Sequence, residues 1–205
     1  MDKFTTHQGK AIAIDRANVD TDQIIPKQFL KRIERTGYGE FLFYDWRIDP
    51  NGDPIDAFEL NQPRSKGASI LIAGPNFGCG SSREHAAWSL LDYGFSVIIA
   101  PSFGDIFYNN SLNNGLLVIR QPRVVIESFV EKSLVGTGLD ISIDLESQTI
   151  TDDAGMKFGF EIDSFRKHCL LSGLDDIALT MIREEQINKF ESKRGDIPFA
   201  YPSVA

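Results

Sequence analysis

An α/β domain built on a mostly parallel sheet is what this sequence predicts, on three observations. Apolar runs at Ala68–Ala73, Val97–Ala100 and Leu116–Ile119 are uninterrupted by charge, as suits strands covered on both faces. Between them lie helix-like segments, Glu84–Leu91 and Asp105–Asn113, and strand–helix–strand repetition makes parallel neighbours. Turn residues sit where this pattern needs them. Pro101-Ser102-Phe103-Gly104 turns the chain into the second helix, and Gly115 follows that helix in the usual C-terminal place.

The totals bound the function classes. A chain of 205 residues buries a real core in one domain, expected to span residues 1–205. Net charge is −8, which argues against a nucleic-acid surface. Only Cys79 and Cys169 are present, so no disulfide framework is implied and a reducing cytoplasm is expected. No apolar run approaches the roughly 20 residues that cross a bilayer. Met1-Asp2-Lys3-Phe4 also lacks the layout of a secretory signal.

In chain order, Lys10–Ile14 reads as a short strand ending in a polar cluster, Asp15–Asp22. Residues there bond to their own backbone, so a tight structured loop is expected. Pro26 stops regular structure. Gln28–Arg35 has room for two helical turns and carries Lys31, Arg32 and Arg35. That cluster is either a solvated helix face or an anion site. Phe41–Phe58 is aromatic and loop-rich, read as core or interface. Val124–Leu134 follows as a helix. Leu139–Asp144, Thr149–Thr151 and Met156–Phe160 alternate like a small antiparallel sheet. Asp163–Ser172 and Asp175–Lys193 are helical, with Gly173 between them. The tail from residue 194 to 205 has no pattern of its own, so it is expected to be disordered or docked on a partner.

The chemistry concentrates in Gly74-Pro75-Asn76-Phe77-Gly78-Cys79-Gly80-Ser81-Ser82-Arg83-Glu84-His85. Glycines there permit positive φ and close backbone approach. Free N–H groups at a helix start favour an anion, and Arg83 adds a forked charge suited to carboxylate or phosphate. Ser82 has two readings, a helix cap or a ligand contact. Three glycine-loop chemistries fail on a required residue. Arg83 stands where a dinucleotide loop needs its third glycine, the lysine of a nucleotide phosphate loop is missing, and there is no G-x-S-x-G elbow. His7, His85, His168 and the two cysteines lack metal-ligand spacing, and two cysteines cannot hold a four-cysteine iron–sulfur cluster. His168-Cys169 reads as a surface and core pair, and His85 as structural.

Gly80-Ser81-Ser82-Arg83-Glu84-His85-Ala86, preceded by Asn76-Phe77-Gly78-Cys79, resembles the active-site loop in the swivelling domain of the aconitase superfamily. Within it the likeness is to the small subunits of bacterial 3-isopropylmalate dehydratases. Asn18–Lys31, Trp88–Phe95, Pro101–Phe107 and Asn113–Leu117 extend it over most of the chain. The resemblance implies a β/β/α swivelling domain with extra C-terminal strands and helices. It implies isomerisation of 2-isopropylmalate to 3-isopropylmalate by dehydration and rehydration in leucine synthesis, with a [4Fe-4S] cluster carried by a large-subunit partner. Ser81 is then the base, aided by Gly80, Ser82 and Arg83, with Arg83 also gripping a substrate carboxylate. Arg32, or Arg35 next, binds the second carboxylate of the hydroxy-acid, and Leu30 or Ile33 touches its side chain. Two rivals stand. One is the small subunit of a related hydratase of the homoaconitase or citraconate/dimethylmaleate type. The other is a non-catalytic carboxylate-binding subunit in which Ser81 and Arg83 only hold an anion.

Overall fold

The computed structural model describes residues 1–31, 36–135 and 138–194. Arg32, Arg35 and the tail from residue 195 onward therefore lie outside the described residues.

Strands β1 (Thr6–Ile14), β2 (Ala68–Ala73), β3 (Val97–Ala100) and β4 (Leu117–Arg120) pair in parallel. Strands β5 (Leu139–Asp144), β6 (Thr149–Asp152) and β7 (Lys157–Gly159) pair antiparallel. They do not form a sheet of their own. β5 pairs antiparallel with β1 from Ala11↔Leu139 to Thr6↔Asp144, giving one sheet in the order β4-β3-β2-β1-β5-β6-β7. β1 serves both halves, which is why it starts four residues before the expected strand. Its burial runs from mixed over Thr6–Lys10 to complete over Ala11–Ile14. Only the second stretch has the apolar composition that marks a strand.

The helices are α1 (Thr21–Ile24), α2 (Tyr44–Arg47), α3 (Glu84–Tyr93), α4 (Asp105–Asn113), α5 (Arg123–Ser133), α6 (Ser164–Ser172), α7 (Asp176–Met181) and α8 (Glu184–Arg194). α3 ends at Gly94 with φ +115, a left-handed cap that releases the chain into β3. α5 lies across β1, β2, β3 and β5. The expected helix from Asp175 is two helices, broken between Met181 and Glu184, with Asp175 capping the first through the Ala178 N–H. The expected helix over Gln28–Arg35 begins as a 3-10 turn at Lys27–Lys31. The Phe29 N–H donates to the Pro26 carbonyl at 3.1 Å, the i→i+3 bond of that tighter turn.

A continuous hydrophobic cluster runs from Ala11 to Leu170. Its aromatic wing comes from the segment read as core or interface, of which Leu42, Phe43 and Phe58 lie in the core while Phe41 and Trp46 pack half-buried against it. Leu42 and Phe43 are fully buried, and Phe43 stacks on Trp46 at 5.6 Å. Phe43 also ties this wing to the loops that leave β1 and β2, its N–H donating to the Ile24 carbonyl (2.8 Å) and its ring edge-on to Phe77 (6.4 Å).

Candidate functional site

Three loops leave the carboxyl ends of parallel strands β1, β2 and β3 and are bonded to one another. Ligand sites of open α/β sheets form at such ends. Asn18 N–H donates to the Pro75 carbonyl (2.9 Å), and the Gly78 and Cys79 N–H groups converge on the Val19 carbonyl (2.7 and 3.3 Å). Phe77 joins the third loop by two bonds, its N–H donating to the Ser102 carbonyl (3.1 Å) and its carbonyl accepting from the Gly104 N–H (2.9 Å). The contacts leave no room for side chains. Gly78 has φ +72, and a Cβ there would stand 2.2 Å from the Phe107 ring. Its glycine is therefore a packing requirement rather than a mark of mobility.

On this base the chain bends at Gly80, with φ +90, and presents Ser81 and Ser82 to solvent. Arg83 follows at the N-cap of α3, and its side chain is only 12% exposed. Ser82 does not cap the helix, contrary to one reading of the sequence. The helix begins one residue later, and Arg83, in extended geometry, offers no side-chain cap. Glu84 instead accepts from Asn114 Nδ2 (2.9 Å), and Asn114 Oδ1 accepts from Trp88 Nε1 (2.9 Å), tying the first turn of α3 to the end of α4.

Arg83 Nη1 forms an ion pair with Asp22 Oδ1. That hydrogen bond and charge hold the Asp22 carboxyl below its ordinary value against the opposing effect of its partial burial. Lys27 Nζ lies 3.4 Å from the other carboxylate oxygen. A guanidinium carries five donors, so the pair aims Arg83 and leaves N–H groups for a second anion. Thr21 meets Ser81 directly, its Oγ1 donating to the Ser81 carbonyl at 3.0 Å. His85 packs edge-on to Tyr38 and against Trp88, and burial lowers its pKa from the ordinary imidazole value. Its ring is thus packed against two aromatic neighbours.

Gly80, Ser81, Ser82 and Arg83 are thus brought together, while Arg32 and Arg35 fall outside the described residues. Sequence reasoning missed the contributions of Thr21 and Asp22, which it had placed in a loop. A signal was present. Asp20 and Gln23 form a reciprocal capping box that starts α1, with Gln23 N–H to Asp20 Oδ1 at 2.8 Å and Asp20 N–H to Gln23 Oε1 at 2.9 Å.

Cys79 lies beside Gly80, and Cys169 is buried in α6 next to exposed His168. Burial pushes both thiols up, away from the thiolate that iron requires. The donor set of this chain does not fit an iron–sulfur cluster. Among the described residues, no group of three or more His, Cys, Asp or Glu side chains is placed to hold a metal.

A half-parallel sheet bearing a Gly-Ser-Ser-Arg loop at its carboxyl end defines the class of the aconitase C-terminal domain. The model of that domain matches residues 1–124, and the LeuD_N model matches residues 135–164. The 3-isopropylmalate dehydratase small subunit of Bacillus licheniformis is 58% identical over 194 residues, covering 95% of this chain and 97% of the relative. That of Rhodopirellula baltica is 54% identical over 196 residues, covering 95% and 100%. A crystal structure of 3-isopropylmalate dehydratase (leuD) from Methanocaldococcus jannaschii superposes with TM-score 0.64 at 26% identity, covering 93% of this chain and 99% of that one. The chain belongs to the family of 3-isopropylmalate dehydratase small subunits.

Proposed function

We propose that this chain is the smaller part of a two-subunit hydro-lyase that interconverts 2-isopropylmalate and 3-isopropylmalate by dehydration and rehydration, a step of leucine synthesis. The supporting observation is an exposed Ser81 two residues before a sheltered, ion-paired Arg83, on a loop bonded to the loops that follow β1 and β3. A free serine is a very weak base. It acts as one only when its alkoxide is stabilised by donors and positive charge in a site closed to water.

The chain supplies the donors and the charge but not the closure. Ser81 and Ser82 stand open on the ledge, so a large-subunit surface has to cover them. On this reading Ser81 Oγ removes the proton beside a substrate carboxylate, and later returns one to the neighbouring carbon. The outer edge of Arg83 grips that carboxylate while Asp22 holds the inner edge. Ser82 and the Gly80 N–H add contacts, and Arg32 or Arg35 binds the second carboxylate. A [4Fe-4S] cluster, which the large subunit would hold, would supply Lewis-acid chemistry at the departing hydroxyl. Its setting is the cytoplasm, where the two unpaired cysteines stay reduced; among the described residues no helix is long and apolar enough to cross a membrane.

Ser81→Ala in the reconstituted two-subunit enzyme is the test. Turnover is expected to fall by about 10³-fold or more with substrate binding kept. Near-normal turnover would leave Ser81 and Arg83 as an anion holder only.

A further inference from the structure

We propose that Thr21 is a positioning residue for Ser81, clasping the backbone on both sides of Gly80 and keeping a buried hydroxyl beside the serine Oγ. This rests on the reading of Ser81 as the base.

Thr21 is 1% exposed, so its hydroxyl depends on protein partners rather than bulk water. Its backbone N–H donates to the Cys79 carbonyl at 3.0 Å, and its Oγ1 donates to the Ser81 carbonyl at 3.0 Å. One residue thus grips the carbonyls before and after the bend at Gly80, where φ is +90. That double hold sets the direction in which the Ser81 side chain leaves the loop. Thr21 is itself fixed, because it follows the capping box of Asp20 and opens α1. Its β-branch restricts rotation about Cα–Cβ and keeps the hydroxyl aimed.

The same Oγ1 lies 3.4 Å from Ser81 Oγ. That exceeds a normal O–H···O separation, so while the serine is neutral the threonine proton stays with the carbonyl. A hydroxyl has one proton to give. Once Ser81 is an alkoxide, a charge-assisted bond is the stronger choice. Rotation of the Thr21 O–H, with a small shift of the exposed serine, then turns the proton to Ser81 Oγ. No covalent bond breaks, and the proton stays on Thr21. Vacating the Ser81 carbonyl gives up one neutral hydrogen bond, less than the charge-assisted bond returns. A donor engaged only in the charged state favours that state and lowers the effective pKa of the base.

The experiment compares Thr21→Val, Thr21→Ser and Ser81→Ala in the complete complex with the large subunit. Thr21→Val is expected to lower kcat about 10- to 100-fold with KM within about twofold. It should also move the rising limb of the kcat–pH profile to higher pH, and Thr21→Ser should recover most of both. Melting temperature and co-purification with the large subunit report folding, and Thr21→Ala is read in the same way should the valine variant not assemble. A kcat within about twofold of wild type, an unmoved pH limb, or a loss that Thr21→Ser does not recover would overturn the proposal. An active Ser81→Ala removes the base itself. An inactive Ser81→Ala beside a normal Thr21→Val removes only the role of Thr21.

Discussion

β2 and β3 are buried at nearly every position, whereas β5 alternates buried Leu139, Ile141 and Ile143 with exposed Asp140 and Ser142. Yet they belong to one sheet, joined through β1. A strand covered on both faces has no surface on which to carry chemistry. Its polar business moves to the loop at its end, which is where Ser81 and Arg83 stand. A strand covered on one face carries polar groups along its length and needs no such loop. The parallel half is therefore the half with the candidate site, and the antiparallel half extends the core on the other side of β1.

The largest expected effect is also the one that separates chemistry from stability. Ser81→Ala loses turnover by the orders of magnitude given above, while its melting temperature stays near wild type because the residue is exposed. Ile99→Ala in β3 is the opposite case. Ile99 is fully buried, and its loss should cost about 2–5 kcal/mol in denaturant unfolding. A smaller cost would mean that one face of β3 is less covered than its burial indicates.

In the antiparallel half, Asp152 is fully buried and paired with Lys132. Burial pushes its carboxyl up, but Lys132 and the Met156 N–H outweigh this and leave it below the ordinary value. A depressed folded pKa means that the pair stabilises above the ordinary carboxylate range, and that this is lost as pH falls through the folded value. Lys132→Met should cost about 1–3 kcal/mol at neutral pH, less than for a fully buried pair because Lys132 keeps 32% of its surface in water. It should also flatten the fall in stability toward acid, read from unfolding midpoints across pH. Ser142→Ala, on the solvent side of β5, closes the series at within about 0.5 kcal/mol.

Much of the fold was legible because burial on both faces writes continuous apolar runs. β2, β3 and α4 fall where those runs and their punctuation put them. β1 was only half legible, since the residues before Lys10 pair with β5 on a mixed surface that has no apolar signature. The break at Met181 was invisible for a related reason. No glycine or proline stands between Asp175 and Lys193 to punctuate the two helices. At the candidate site, glycines and an arginine beside two serines marked the loop from Gly78 to Arg83. The Ser82 cap failed because Arg83 takes the extended N-cap position, a choice made by its pairing with Asp22 across the loop.

By itself the sequence determined most of the strand positions, put the glycine, serine and arginine loop after β2, and supplied too few cysteines for a four-cysteine cluster. Tertiary structure alone decided that Thr21 grips Ser81 across a separation of 60 residues, and that Asp22 aims Arg83 across 61. Periodicity records how far each residue is withdrawn from water. It does not record which distant loop will be carried alongside when two strands pair.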